Sequence, residues 1–252
     1  MPDAAGLLRR AWSVAFPSAC AACLECLGPL DEAALCPACA DDLRPISPAE
    51  CCPNCGAMNP APVPQAPGRC TGCVRLPEFF VAARGAFHYG GSAGMLARRL
   101  KFQRVEWIAP YLARLAAGPL RPFVEERAKP NLVVSVPTSA WRFLWRRFDQ
   151  ADAIGRGLAK EFGLPFLGSA LKRTRRISAQ ARHKGTAARW RNVDGAFAPA
   201  KPHAFAGRTV LLVDDVMTSG ATAAACAEAL LRGGAEAVYV ATVLRASGSP
   251  DG

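Results

Sequence analysis

Ten of the eleven cysteines stand before residue 74, and eight of these form four Cys-x-x-Cys pairs. Such a pair is a short knuckle that can put two thiolates on one ion, and two knuckles complete a tetrahedral four-cysteine site. Cys23 and Cys26 are followed by Cys36 and Cys39, and Cys52 and Cys55 by Cys70 and Cys73. The segment is therefore predicted to be two zinc ribbons in tandem. The first knuckle has two registers, because Cys20 also stands in Cys-x-x-Cys spacing with Cys23. Cys23 with Cys26 is preferred, since Gly28 and Pro29 then supply the turn behind the knuckle. Cys51 is left spare beside Cys52. A disulfide scaffold, a redox pair and an iron–sulfur cluster are the competing readings, and four paired knuckles with short loops favour zinc. A segment of about 60 residues with few large apolar side chains needs metal to fold, which makes the ribbons structural first and DNA contacts second.

Hydrophobic residues make up 51% of the 252-residue chain and charged residues 20%, which excludes a wholly disordered protein. No run reaches the ~18 apolar residues of a membrane span. The apolar stretch from Ala11 to Phe16, behind Arg9 and Arg10, is short for the core of a signal peptide and is closed by Pro17. The expectation is a cytoplasmic protein with an amphipathic lead-in over 1–16, a double ribbon over 17–78, an α/β domain over 79–246 and a disordered tail over 247–252. The proline-rich stretch from Asn59 to Gly68 belongs inside the second ribbon, because Cys70 and Cys73 must return to Cys52 and Cys55.

Beyond residue 79 short apolar strands alternate with helical periodicity. Strands are predicted at 86–89, 132–136, 210–213 and 237–243, with helices at 92–100, 106–117, 148–162 and 222–232. Continuous apolar strands separated by helices indicate a parallel sheet covered on both faces.

The run Val210-Leu211-Leu212-Val213-Asp214-Asp215-Val216-Met217-Thr218-Ser219-Gly220-Ala221-Thr222 carries the chemistry. A buried strand leads into two adjacent carboxylates, and a loop of hydroxyls and glycine then opens a helix. Ligands of open parallel sheets bind beyond the carboxyl ends of the strands. A helix start offers free N–H groups and a positive dipole end for phosphate. The carboxylates can accept hydrogen bonds from a vicinal diol, so a ribose 5-phosphate fits the pattern. A Walker B strand is disfavoured because no G-x-x-x-x-G-K-[ST] is present. A receiver-domain acid pocket is disfavoured because the only later aspartate is Asp251.

These thirteen residues resemble the phosphoribosyl pyrophosphate (PRPP) motif of type I phosphoribosyltransferases. With the cysteine-rich front, the chain resembles the ComF family of competence proteins (ComFC/GntX-like). Phe16-Pro17 before the first knuckle, Leu100-Lys101-Phe102, Val136-Pro137 with Trp141-Arg142, Arg146 to Gln150, and Gln180, Arg189, Asn192 and Ala196-Phe197 carry the likeness. Arg147 and Asp149 depart from the family's usual Gly and Asn.

The resemblance implies a phosphoribosyltransferase-like domain in which Asp214 and Asp215 hold the ribose hydroxyls and Thr218, Ser219, Gly220, Ala221 and Thr222 wrap the 5-phosphate. It also implies Lys101 as a catalytic-site residue and Val136, Pro137, Thr138 and Ser139 as the pyrophosphate loop. Mg2+ would bridge pyrophosphate and ribose oxygens. The implied reaction replaces pyrophosphate at C1 with the nitrogen of a nucleobase-type acceptor.

Lys plus Arg number 31 against 20 acids, giving +11. Between Arg142 and Arg191 there are thirteen bases and three acids, so +10 of that charge lies in one stretch. Arg175, Gln180 and Arg189 fall where a flexible loop would close over pyrophosphate. The same charge suits single-stranded DNA, with Trp141, Trp145 and Phe148 available for stacking, and the family's link to DNA uptake implies DNA-uptake proteins as partners. A non-catalytic adaptor that binds PRPP or single-stranded DNA is thus the second functional expectation.

Overall fold

A computed structural model of the chain describes residues 19–25, 34–102, 107–137, 149–174 and 193–246. Seven strands are present among them: β1 (Ala82–His88), β2 (Leu132–Ser135), β3 (Phe166–Leu167), β4 (Leu171–Arg173), β5 (Phe197–Pro199), β6 (Thr209–Met217) and β7 (Ala237–Arg245). Five of them form a central parallel sheet in the order β1-β7-β6-β2-β3. The other two, β4 and β5, make a separate antiparallel pair.

The apolar strands are apolar because both faces are covered. In β6, Leu211 and Val213 pack into one core cluster while Val210 and Leu212 pack into another. Helices α1 (Gly91–Phe102), α2 (Ile108–Pro122) and α3 (Gln150–Glu161) contribute Leu96, Leu100, Leu112, Leu120, Ile154 and Leu158 to the first. Helix α4 (Ala221–Arg232) and the β4–β5 pair fill the second with Cys226, Leu230 and Phe197. Alternate residues of a strand face opposite sides, which is how one run of apolar residues supplies two cores.

The elements differ from the sequence expectation where packing outweighs a local stop signal. Helix α2 passes Gly118 and Pro119 and continues as a wide π turn over Phe123–Ala128, ending at Lys129 with φ 43°. Leu120, Phe123 and Val124 extend its buried stripe, and burying them sustains the helix through residues that would otherwise end it. The first helix opens at Gly91, so Ser92 lies inside it; its N–H donates to the distant carboxylate of Asp42, Oδ2 at 2.6 Å. The β4–β5 pair has no counterpart among the predicted strands.

The cysteine-rich segment packs on the outer side of β1. Ala83 N–H donates to Asn54 O at 2.7 Å, Ile46 N–H to Ala86 O at 2.9 Å, and His88 N–H to Arg44 O at 3.0 Å. The turn at Asn54 and the segment 44–46, which joins the two halves of the cysteine-rich region, are thereby fastened to one strand. No helix among the described residues is long and apolar enough to cross a membrane.

Candidate functional site

Two groups of four thiols converge: Cys20, Cys23, Cys36 and Cys39, and Cys52, Cys55, Cys70 and Cys73. Within each group the ligand atoms lie within 4.8 Å of one another. The Sγ–Sγ distances of 3.9 Å between Cys23 and Cys36, 3.5 Å between Cys52 and Cys73, and 3.4 Å between Cys55 and Cys70 suit a tetrahedral zinc site. Four bonds of about 2.3 Å to sulfur place the sulfurs about 3.8 Å apart. The donors are all thiolate formers, so both groups fit zinc.

Among the described residues the first group brings Cys20 together with Cys23, Cys36 and Cys39, while Cys26, preferred from spacing, lies outside them. Backbone geometry places Cys20. Leu24 N–H donates to Cys20 O at 3.1 Å, and Leu24 takes φ 71°. In the second group Gly56 N–H donates to Cys52 O at 3.0 Å, and Gly56 takes φ 64°. The two knuckles are thus the same turn, closed once by glycine and once by leucine. The thiols respond alike: burial opposes ionisation at Cys20, but N–H groups of Cys36, Cys23 and Ala22 bring it down to about 6. At Cys52 burial is likewise outweighed by N–H groups of Cys55 and Asn54, which bring it down to about 7. The spare Cys51 is buried, with its thiol against the Arg84 guanidinium.

The second constellation lies at the carboxyl ends of β2 and β6. The strand does not stop before the acids. β6 stays paired with β7 as far as Met217 against Arg245, whereas β2 leaves it at Ser135 opposite Val213. Asp214 and Asp215 therefore sit where β6 has lost its neighbour on the β2 side, with Val136 N–H still donating to Val213 O at 2.9 Å. Because adjacent strand residues face opposite ways, Asp215 reaches toward α1, where Lys101 Nζ lies 2.9 Å from its Oδ2. Asp214 turns toward α4. Burial first, and then the neighbouring charge of Asp215, raise its carboxyl well above the ordinary range. The thiol of Cys226 in α4 is raised by its own burial and further by the Asp214 charge.

Lys101 is held in place from several directions. It stands in the last turn of α1, and Gln150 Nε2 donates to the preceding carbonyl of Leu100 at 3.4 Å. Gln150 opens α3, whose N-cap is Asp149; its Oδ1 accepts from Ala151 N–H at 3.1 Å and Asp152 N–H at 3.3 Å. The departure from asparagine at 149 thus has a local use, since either side chain caps a helix. Arg99 Nη1 donates to Cys20 O at 3.2 Å and Ala21 O at 2.7 Å, so the first knuckle grips the same helix that Asp42 caps.

After β6 the chain runs through Thr218, Ser219 and Gly220 into α4. Gly220 is the N-cap, with φ 82°, and a Cβ there would meet Leu76 Cδ1 and Met217 Cε at 2.9 Å. Ser219 Oγ accepts from Ala221 N–H at 3.4 Å. The site thus joins a helix N-terminus to a carboxylate–ammonium pair at one end of a parallel sheet, a place for a polar phosphorylated ligand.

Among the remaining expected residues, Val136 is buried and Pro137 half-buried beside the acids, while Thr138, Ser139, Arg175, Gln180 and Arg189 lie outside the described residues. The ends of the segment holding the last three are brought together, with Thr174 N–H donating to Ala196 O at 2.9 Å. Sequence reasoning missed Arg245. It is 5% exposed, and its guanidinium donates to carbonyls on both the loop and the Cys52–Cys55 knuckle. The available signal was a charged residue closing the apolar run Val243-Leu244-Arg245. Asp42 and Arg99 were missed as well, because their partners are remote in sequence.

Residues 150–251 match the model of the phosphoribosyl transferase domain. The DNA utilization protein YhgH of Salmonella typhimurium is 32% identical over 185 residues, covering 72% of this chain and 78% of that protein. Competence protein F of Haemophilus influenzae is 33% identical over 165 residues, covering 63% and 70% respectively. Among solved structures, the glutamine PRPP amidotransferase from B. subtilis complexed with ADP and GMP superposes at a TM-score of 0.34 with 20% identity. That overlap covers 56% of this chain and about a quarter (26%) of the other.

Proposed function

Since the chain belongs to the ComF family, with a double four-cysteine front and a phosphoribosyltransferase-like α/β domain, we propose that it binds PRPP at the end of β6 and transfers the phosphoribosyl group to a nucleobase-type acceptor. The observation that carries this reading is the convergence of the Lys101–Asp215 pair and the Gly220 helix start where β2 has left β6.

In this reading Thr218 to Thr222 receive the 5-phosphate at the N-terminus of α4, and Gly220 lets the backbone come close to it. A ribose lying across the free side of β6 meets Asp215 and Asp214 with its 2′- and 3′-hydroxyls. Lys101 balances the charge of Asp215 and stands ready for a phosphate or pyrophosphate oxygen. The loop from Val136 to Ser139 receives the pyrophosphate. When bound, Mg2+ would supply charge neutralisation for the leaving pyrophosphate, and the carboxylate oxygens of Asp214 and Asp215 are hard donors of the kind it takes. Zinc in the two four-cysteine groups would hold the ribbons folded. Most of the rate enhancement would then come from positioning and charge complementarity. We also assign residues 17–78 to the ribbons, 79–246 to the transferase-like domain, and the protein to the cytoplasm.

The relatives' names, DNA utilization protein and competence protein, together with the +10 charge between Arg142 and Arg191, support a second reading. There the domain binds PRPP or single-stranded DNA without turnover and serves DNA-uptake proteins. One experiment separates the two. The zinc-loaded protein is incubated with PRPP, Mg2+ and a panel of bases, and pyrophosphate is followed. Release that needs one base and disappears in Asp214→Asn/Asp215→Asn establishes the transferase. No release, together with single-stranded DNA binding that weakens steeply with salt, establishes the adaptor.

A further inference from the structure

The guanidinium of Arg245 has carbonyl partners in two modules. Its Nε donates to Gly56 O at 2.7 Å, and its Nη1 donates to Met217 O at 3.0 Å and to Thr218 O. Gly56 directly follows Cys55 of the second four-cysteine group and closes the Cys52–Cys55 knuckle. Met217 and Thr218 lead into Gly220 at the start of α4.

The placement leaves the side chain little freedom. Arg245 pairs with Met217 on one side and with His88 on the other, and its carbonyl accepts from Tyr89 N–H at 2.9 Å. A Cβ on Gly85 would come within 2.6 Å of Arg245 Cβ, so Gly85 leaves the channel in which the arginine lies. Gly56 is itself pressed onto β1, where a Cβ would meet Ala83 O at 2.7 Å. Leu76, at the far end of the second ribbon, touches the position a Gly220 Cβ would take. The ribbon therefore meets the loop twice, once through a buried cation and once through an apolar contact. Electrostatics favours the cation there, since four thiolates around Zn2+ carry a net charge of about −2.

We propose that Arg245 is a positioning residue that couples the second four-cysteine site to the loop from Met217 to Gly220, so that the loop's hold on a sugar 5-phosphate depends on metal in the second ribbon. The proposal rests on the reading of that loop as a phosphate cradle. Coupling between two binding sites is reciprocal, so the ligand must also tighten the metal. The first four-cysteine group, which grips α1 instead, has no such link to the loop among the described residues.

The test uses the full chain with both zinc sites loaded. Zinc affinity is measured by competition with a chelator, with and without ribose 5-phosphate, and a Cys20→Ser variant marks the step that belongs to the first site. The expected result is a gain of about tenfold at the second site and none at the first. Arg245→Gln should keep both zincs and the wild-type circular dichroism, lose that gain, and bind ribose 5-phosphate about tenfold more weakly, with Arg245→Lys in between. Pyrophosphate binding, which uses the other loop, should not change. If the wild-type protein binds ribose 5-phosphate but its zinc affinity does not respond, the coupling is wrong and the phosphate cradle stands. Unchanged sugar-phosphate affinity in Arg245→Gln has the same meaning. If the wild-type protein binds neither ribose 5-phosphate nor PRPP, the cradle itself fails and the coupling with it. Should Arg245→Gln not fold, the wild-type zinc measurement decides alone.

Discussion

The two four-cysteine modules share their ligands and the turn of their first knuckle, yet they attach to opposite halves of the site. The first reaches α1 through Arg99 and Asp42, and so bears on the helix that presents Lys101. The second reaches the loop before α4 through Arg245 and Leu76. They also differ in shelter: all four thiols of the second group are buried, whereas Cys23 and Cys36 of the first are half-buried. A repeated motif has thus been put to two uses, one ribbon supporting the helix that carries Lys101 and the other the loop that leads into Gly220.

The hardest blow to this comparison is removal of one ribbon. Replacing Cys52 and Cys55 with Ser should lower bound zinc from two to one per chain and abolish binding of phosphorylated sugars. A structural zinc site is worth on the order of 10 kcal/mol, more than most domains have to spare. Metal analysis and thermal unfolding would show it. Next in size is the register of the first knuckle. Cys20→Ser should lose the first zinc while Cys26→Ser keeps it, and the opposite outcome would restore the register preferred from spacing. Gly220→Ala should cost about 1–2 kcal/mol for a left-handed alanine, with further strain from Leu76 and Met217 at 2.9 Å. Calorimetry should show weaker ribose 5-phosphate binding in Gly220→Ala, whereas Lys101→Ala should weaken pyrophosphate binding more than ribose 5-phosphate binding.

Two smaller effects have opposite pH dependence and so separate the halves more finely. The Asp214 carboxyl is raised by burial and by Asp215, so its ionisation weighs against the fold above its unfolded value. Asp214→Asn should therefore raise Tm at neutral pH, with the gain shrinking as pH falls and the wild-type acid protonates in both states. Asp42 is lowered by the Ser92 N–H and hydroxyl, so its contribution is present at neutral pH and lost as pH falls through the lowered value. Asp42→Asn should reduce Tm by a few degrees at most near pH 7 and by nothing in acid. Melting curves over a pH series would read both.

Local patterns were legible in the chain and remote partnerships were not. The acid pair, the Gly220 loop and the alternating strands follow from periodicity over ten or so residues, and the structure places them together. At the first knuckle the spacing pointed to Gly28-Pro29 as the turn, and nothing in the sequence marked Leu24 as the residue that holds a left-handed position beside Cys20 and Cys23. Strand β6 runs past its acids because β7 keeps pace with it to Arg245, a fact that belongs to the neighbour rather than to the run itself. Asp42, Arg99 and Arg245 each act across 28 to 189 residues of chain, with the last reaching from Gly56 to the end of β7. A surface-type residue with so distant a partner leaves only its anomaly behind, a charge where burial was expected.

The fastening of the cysteine-rich segment onto β1 has a consequence for the life of the protein in a cell. With β7 on one side and, among the described residues, cysteine-rich backbone on the other, β1 would rely on zinc in that region for its second set of partners. A newly made chain starved of zinc would offer a bare row of amides and carbonyls, a template for another copy of itself. Scarcity of the ion would then show up as self-association and clearance of the polypeptide, well before any question of catalysis arose.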